Sequence, residues 1–170
     1  MRRLRCNPSI ARSTPIHIAV PEFLPGGPAD AEEAYFLTGI ITTYLRRSGE
    51  FKLIAPSGAI AKITDLDAVP SFADWKASNA DFLILGRIAQ HDRRLQAGFR
   101  LWSVAAGGHL MGQKLASTSD DLPQIGYMIA NHVYVRLTGE KCIPALGAPA
   151  LPKADPRGRD QGPGRTGTEP

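Results

Sequence analysis

The sequence predicts an α/β domain in which a mixed sheet of about five strands packs against two long helices and one short helix. Residues 82–85 are apolar without alternation, as expected for a central strand that is covered on both faces. Residues 95–102 alternate between apolar and polar side chains, which indicates a neighbouring strand with one face in the core. Residues 37–45 and 122–137 place apolar side chains at helical spacing, which predicts the two long helices.

The first half of the chain begins with a strand and the first long helix. Residues 15–20 alternate between apolar and polar side chains, and a loop rich in proline and glycine follows them. Asp30 and Glu33 have the spacing of a capping box at the start of the helix, and Gly49 is suited to end it. We expect a short strand at residues 51–55 directly after this helix.

The second half adds a short helix, a hairpin and the last helix. Residues 56–69 could form a helical turn or an irregular segment, and a short helix then precedes the central strand. Two glycines at residues 107–108 predict a tight hairpin that leads to a returning strand at residues 109–118. Pro123 is placed to open the last helix and Gly139 to close it. The order of the strands in the sheet stays open at this point.

The basic charge of the chain lies at its ends. The formal net charge is +4, yet residues 13–140 contain 11 basic and 13 acidic side chains. The basic excess comes from residues 1–12 and 141–170. This distribution argues against a basic nucleic-acid-binding face on the domain itself.

We expect three regions along the chain. Residues 1–12 form a disordered basic head, residues 13–141 form one α/β domain, and residues 142–170 form a disordered tail rich in proline and glycine. Cys6 and Cys142 flank the domain and form neither a disulfide framework nor a metal site. No apolar run approaches the ~20 residues of a membrane span. The basic start lacks the apolar stretch that an export signal needs.

The sequence contains no pattern that predicts catalysis. Zinc-protease, paired-cysteine, nucleophile-elbow and dinucleotide-binding motifs are all missing from it. The four histidines are dispersed, and the neighbouring His91 and Asp92 fall in a predicted turn where both are expected to face solvent. The adjacent carboxylates at residues 32–33 and 120–121 stand at helix starts, which explains them. The sequence therefore predicts no catalytic residue, no cofactor-binding residue and no metal ligand.

Five segments carry a resemblance to a known family. They are PIHIAVPEF at residues 15–23, YLRRSGEFKLI at 44–54, FADWKASNADFLILGRI at 72–88, FRLWSV at 99–104 and IANHVYVRLTGEK at 129–141. In their order and spacing they resemble the N-terminal domain of TolB, the periplasmic component of the Tol-Pal cell-envelope system. No single segment is diagnostic, but the ordered set covers nearly all of the predicted domain.

The resemblance implies a non-enzymatic scaffold domain with an α/β fold like that of anticodon-binding domains. In the family this domain and the segment ahead of it engage TolA of the inner membrane, and a β-propeller that follows binds the lipoprotein Pal. The resemblance thus implies a role in outer-membrane integrity, cell division and protein import. It also implies a periplasmic location and no cofactor.

Two parts of the chain depart from the family pattern. The first 13 residues, MRRLRCNPSIARS, resemble neither the family's export signal nor its leading segment. After residue 141 the sequence becomes rich in proline and glycine where the family continues into the propeller. We therefore expect a truncated or frameshifted copy that has lost Pal binding, and the lack of an export signal leaves the cytoplasm as an alternative location.

The partner-binding residues that we predict lead into the first strand: Ser13, Thr14, Pro15, Ile16 and His17. An exposed leading segment can pair with the sheet edge of a TolA-like protein by strand addition. The simpler interpretation is that these residues only form the first strand. A small nucleic-acid-binding module of the anticodon-binding type is the alternative function, and an enzyme has no candidate residues.

Overall fold

The structure, a computed structural model, describes residues 14–55, 65–140 and 143. Parallel strands linked by helices come first along the chain, and a three-stranded antiparallel meander and a final helix follow. The elements are β1 (Ile16–Ala19), β2 (Leu24–Pro25), α1 (Ala31–Arg47), β3 (Phe51–Ile54), α2 (Phe72–Ala77), β4 (Phe82–His91), β5 (Arg94–Ser103), β6 (Gly108–Thr118) and α3 (Leu122–Thr138).

Six strands form one mixed sheet, which confirms the predicted fold class. Five of them lie in the order β3-β1-β4-β5-β6, and β2 pairs with β4 beyond the end of β1. β1 is parallel to both of its neighbours, whereas β5 is antiparallel to both of its neighbours, β4 and β6. β4 is therefore central, as its unbroken apolar run predicts.

The first face of the sheet is the one that α1 and α3 cover. From α1 come Leu37, Ile41 and Leu45, and from α3 come Ile129 and Val133, all of them completely buried. Burial of each such side chain stabilises the fold by about 1.5–3 kcal/mol. The strand residues of the same core are Ile16, Ile18, Phe51, Ile84, Ile88, Leu95, Ala97, Phe99 and Leu101. The apolar stripes of the two long helices thus meet the alternating face of β5, as predicted.

Among the described residues, a helix covers the second face of the sheet only at one end. Trp75 of α2 packs there in one cluster with Leu83, Leu85, Trp102 and Val104. The helix has six residues, so it spans about 9 Å, while β4 and β5 have ten residues each and extend about 33 Å. α2 is thus too short to reach the far half of these strands, and no other helix in the described ranges covers that open half.

The turns and helix ends lie where the sequence predicts them. Asp92 has φ 56° in the tight turn between β4 and β5, and Gly107 has φ 65° in the turn before β6. Gly139 has φ 77° at the end of α3, and its N–H donates to the Val135 carbonyl at 3.0 Å. Glycine adopts left-handed backbone at no steric cost, and aspartate adopts it more readily than most other residues, so each element can end at these points.

The loop predicted after β1 contains the additional strand β2. The Gly26 N–H donates to the Ile88 carbonyl at 2.7 Å, and Leu24 pairs with Arg87. The preceding residue, Phe23, is 1% exposed and lies over Gly86 of β4, which has no side chain to oppose the ring. The prolines and glycines of this segment had indicated a loop, but the buried Phe23 holds the chain against β4.

The predicted capping box at Asp30 is wrong. The Asp30 carboxylate makes no capping hydrogen bond to α1, and the helix is entered through a short 3-10 turn at Pro28–Asp30. The carboxylate instead accepts a hydrogen bond from the Gln90 N–H at 3.2 Å, and the residue is 8% exposed. Asp30 thus ties the start of α1 to β4, a tertiary contact that local spacing does not predict.

The predicted domain limits fall at the edges of the described residues. Ile143, which the prediction placed in the tail, is 4% exposed and belongs to the core of the first face. Its N–H donates to Asn131 Oδ1 on α3 at 2.9 Å. The predicted head, the rest of the predicted tail, Cys6 and Cys142 lie outside the described residues.

Candidate functional site

The predicted partner-binding segment enters the sheet at β1. Ser13 lies outside the described residues, and Thr14 and Pro15 are exposed ahead of the strand. Ile16 is 9% exposed and belongs to the core, whereas His17 is partly exposed. The described part of the segment thus combines two accessible residues with the anchored start of a strand.

The backbone of β1 is held on both sides. The Ile16 N–H donates to the Glu50 carbonyl at 2.8 Å on the β3 side. On the β4 side, the Asp81 N–H donates to the His17 carbonyl at 2.9 Å, and the His17 N–H donates to Asp81 Oδ2 at 3.3 Å. These bonds leave β1 itself no free edge for strand addition. An added strand would have to pair with Thr14, with Pro15 or with residues ahead of them.

A polar cleft opens beside this segment. It has a volume of about 350 Å³ and is lined by His17, Lys52, Lys76 and Asp81 among others. The His17 Nδ1 lies 3.9 Å from Asp81 Oδ2, and both side chains are partly exposed. The cleft brings cationic and anionic groups next to the accessible start of β1, so a polar partner could make charged contacts there.

An exposed aromatic pair on α1 forms a second candidate surface. Tyr35 is 65% exposed and Phe36 is 51% exposed, and their rings meet edge to face with centroids 5.9 Å apart. A groove of about 550 Å³ runs from them past Gly39 and Thr43. This surface was not predicted, because the apolar pattern of α1 indicates only its buried stripe. Two adjacent aromatic residues beside that stripe were the available signal.

The open half of the second face forms a third surface. A groove of about 860 Å³ lies there, and its lining includes Arg87, Gly98, Arg100, Gly112 and Lys114. The sequence placed Gly98 and Arg100 on the partly wet side of β5, but it did not show that the neighbouring strands bring two further cations to the same surface.

The described residues hold no arrangement that favours catalysis. Among them, no three His, Cys, Asp or Glu side chains lie close enough together to bind a metal ion. His91 and Asp92 are both exposed at the turn after β4, as predicted. No helix in the described ranges is both long enough and apolar enough to cross a membrane.

Two groups have shifted pKa values with structural causes. Burial raises the pKa of the Tyr44 phenol, the neighbouring Tyr127 raises it further, and Arg47 opposes the shift. Hydrogen bonds from the hydroxyls of Ser117 and Thr118 lower the pKa of the Asp121 carboxyl. The interactions of Tyr44 stabilise the packing of α1 on α3, and those of Asp121 stabilise the turn before α3. Among the described residues, neither group faces a cleft that contains a partner for catalysis.

The mixed sheet with two long helices on one face and a short one on the other defines a small α/β domain. Residues 9–110 match the family model described as the TolB amino-terminal domain, and the chain belongs to this family. Family membership implies a role related to the Tol-Pal system, whose TolB component is periplasmic.

Solved structures show the same fold. TolB from Acinetobacter baumannii is 23% identical with a TM-score of 0.58, and the match covers 76% of this chain and 30% of that chain. The PelC dodecamer from Paraburkholderia phytofirmans is 17% identical with a TM-score of 0.50, and the match covers 76% of this chain and 91% of that one. This chain therefore corresponds to less than a third of the Acinetobacter protein.

Proposed function

We propose that this chain is a protein–protein interaction domain of the Tol-Pal cell-envelope system and that it contacts a TolA-like protein. The observation that carries the proposal is the family match over residues 9–110, which includes the segment ahead of β1 as well as most of the sheet. The described residues add three accessible surfaces and no catalytic cluster.

The contact with the TolA-like protein involves the residues that lead into β1. Ser13, Thr14 and Pro15 pair with a sheet edge of the partner, while Ile16 and His17 fix the direction in which the segment leaves the domain. The hydrogen bonds of Ile16 and His17 to β3 and Asp81 support this division of roles, because they hold the start of β1 rigidly. A rigid exit lowers the conformational entropy that the segment loses on binding.

The cellular role follows from the same family membership. We propose that the domain works in the periplasm, in outer-membrane integrity, cell division and protein import. A nucleic-acid-binding function has less support, because residues 13–140 carry more acidic than basic side chains. The sheet also lacks an exposed aromatic platform among its described residues, since Trp102 is 6% exposed.

The test is a binding measurement with the purified C-terminal domain of TolA from the same organism. Thr14→Pro removes a backbone donor that an added strand would use, and Val69→Pro is the matched control. Both residues are exposed, and each precedes a proline, so the two variants perturb the chain alike. We expect Thr14→Pro to weaken binding by about two- to tenfold, the worth of one hydrogen bond, and Val69→Pro to leave it unchanged.

Circular dichroism of both variants should show an unchanged fold. Equal affinity of the two variants would place the contact elsewhere on the domain. Absence of binding by the parent chain, with a folded spectrum, would refute the proposed partner.

A further inference from the structure

The open half of the second face carries a row of two cations with a glycine between them. In the sheet register, Arg87 of β4 pairs with Gly98 of β5, and Gly98 pairs with Lys114 of β6. All three residues therefore point to the second face. With strands about 4.8 Å apart, the Cα atoms of Arg87 and Lys114 lie about 10 Å from each other across the glycine.

Small residues form the floor of this groove. A Cβ atom on Gly98 would lie 3.7 Å from the Lys114 Cγ, and a Cβ atom on Gly112 would lie 3.2 Å from the His109 Nε2. In the next row Ala89 and Ala116 lie on either side of Gln96, and the row on the other side of Gly98 contains Arg100. A chain that crosses the strands between Gln96 and Arg100 can thus approach the backbone of β5 at Gly98.

The two cations have no ionic partner within the described part of the chain. Neither Arg87 nor Lys114 makes a salt bridge there, and both are exposed. The third cation of the groove, Arg100, pairs with Asp67 at the rim. With Asp65 also in the lining, the groove holds three cations and two carboxylates, a net charge of +1, although residues 13–140 are slightly acidic as a whole.

A buried donor lies at the covered end of the same groove. The Trp102 side chain is 6% exposed, and its indole Nε1–H has no acceptor among the described residues. The His109 ring meets the indole edge to face, with centroids 5.2 Å apart, and both rings line the groove. A buried unpaired donor is unfavourable, so an acceptor at this end would be favourable.

We propose that the second-face groove binds an extended acidic segment of a partner protein. Carboxylates two or three residues apart on an extended chain are separated by about 7–10 Å, which matches the spacing of Arg87 and Lys114. The shallow floor over Gly98 admits a backbone, and the flanking cations select acidic side chains. This surface is distinct from the segment that leads into β1, and the inference does not depend on the proposed TolA contact.

The groove fits an acidic peptide better than a nucleic acid. Sheet surfaces that bind single-stranded RNA stack its bases on exposed aromatic rings, whereas the described second face exposes cations over glycine and alanine.

The test uses the full chain and a short fluorescein-labelled peptide of alternating glutamate and serine. Arg87→Gln with Lys114→Gln removes the two free cations, and Arg46→Gln with Arg136→Gln is the control with the same change in net charge. All four residues are exposed, so both variants should fold. We expect the first pair to weaken peptide binding about three- to thirtyfold, the range that two exposed ion pairs supply, and the control to change it less than twofold.

Two further readouts locate the binding. In the parent chain, the amide resonances of Gly98 and Gly112 and the indole resonance of Trp102 should shift as the peptide is added. Asp67→Asn releases Arg100 from its ion pair and should tighten binding about twofold.

Three results would overturn the proposal. The first is that the parent chain does not bind the peptide. The second is that both charge-matched variants weaken binding equally, which would show that the net charge of the chain attracts the peptide and that the groove is not a specific binding site. The third is that polyuridylate binds more tightly than the peptide and loses affinity in the groove variant, which would make the groove a nucleic-acid surface.

Discussion

The two faces of the sheet differ in what covers them. On the first face, α1 and α3 have 17 residues each and cover the sheet with a continuous apolar core. On the second face, the six residues of α2 cover only the Trp75–Trp102 cluster and leave the cationic groove open. The first face thus provides the buried core that stabilises the fold, while the second face leaves a surface that a partner can contact.

The core of the first face should show the largest effect of a single substitution. Leu37→Ala removes a completely buried side chain between α1 and the sheet, and we expect a loss of about 2–5 kcal/mol in the free energy of unfolding. Urea unfolding followed by circular dichroism measures it. Val69→Ala is the control, because that side chain is 70% exposed and its loss should change stability by less than about 0.5 kcal/mol. Similar values for the two variants would contradict the assignment of the core.

Glycines on the two faces allow a direct comparison of packing. On the first face, a Cβ atom on Gly86 would lie 2.1 Å from the Phe23 ring, whose residue is 1% exposed. The ring cannot retreat without loss of core contacts, so Gly86→Ala should destabilise the fold by about 1–3 kcal/mol. A thermal melt with no change in midpoint would show that Phe23 does not pack as described.

The matching glycine on the second face should behave oppositely. A Cβ atom on Gly98 would meet only Lys114 Cγ at 3.7 Å and the Gln113 carbonyl at 3.8 Å, both ordinary contact distances. Gly98→Ala should therefore leave the folded state unstrained and stabilise it by about 0.4–1 kcal/mol, because alanine has less conformational freedom when unfolded. Urea unfolding of the Gly86→Ala and Gly98→Ala variants side by side tests the difference, and destabilisation by Gly98→Ala would indicate that this face is tightly covered.

The smallest effect concerns alkaline pH at the α1–α3 contact. The pKa of Tyr44 is raised by burial, so the folded state favours the neutral phenol. Its contribution to stability is complete below the unfolded pKa near 10.0 and is lost as the pH rises through the folded pKa. The free energy of unfolding, measured from about pH 8 to about pH 11, should decrease less steeply with rising pH for Tyr44→Phe than for the parent chain. Tyr35→Phe is the control, since Tyr35 is 65% exposed and should leave the slope unchanged.

Local patterns predicted the elements of the first face well. The apolar stripes of α1 and α3 and the alternation of β5 depend on side chains near one another in sequence, and each was placed correctly. The ends of α3 and the turn before β6 followed from the same kind of signal, because Gly139 and Gly107 adopt the positive φ that those positions require.

The features that sequence reasoning missed depend on contacts between distant residues. β2 forms because Phe23 packs on Gly86. Asp30 does not cap α1, because its carboxylate accepts a hydrogen bond from the Gln90 N–H. The order of the strands depends on which strands pair with one another, and no local sequence pattern specifies that pairing. The second-face groove likewise depends on the register of three strands and on the short length of α2.

The candidate site was therefore only partly predictable. The segment of residues 13–17 was named from the family resemblance, and the structure adds that Ile16 and His17 are held in the sheet while Thr14 and Pro15 are accessible. Its role in binding stays a prediction. The exposed Tyr35 and Phe36 were visible in the sequence, but their exposure depends on how α1 is rotated on the sheet.

The most direct test of the central claim is an NMR titration of the isotope-labelled chain with the C-terminal domain of TolA from the same organism. We expect shifts at Thr14, Ile16 and His17, with little change at Gly98 and Gly112 in the groove. Such a pattern would establish an interaction domain that binds its partner at the start of β1. A folded spectrum that does not respond, or shifts confined to the helices of the first face, would refute this binding mode.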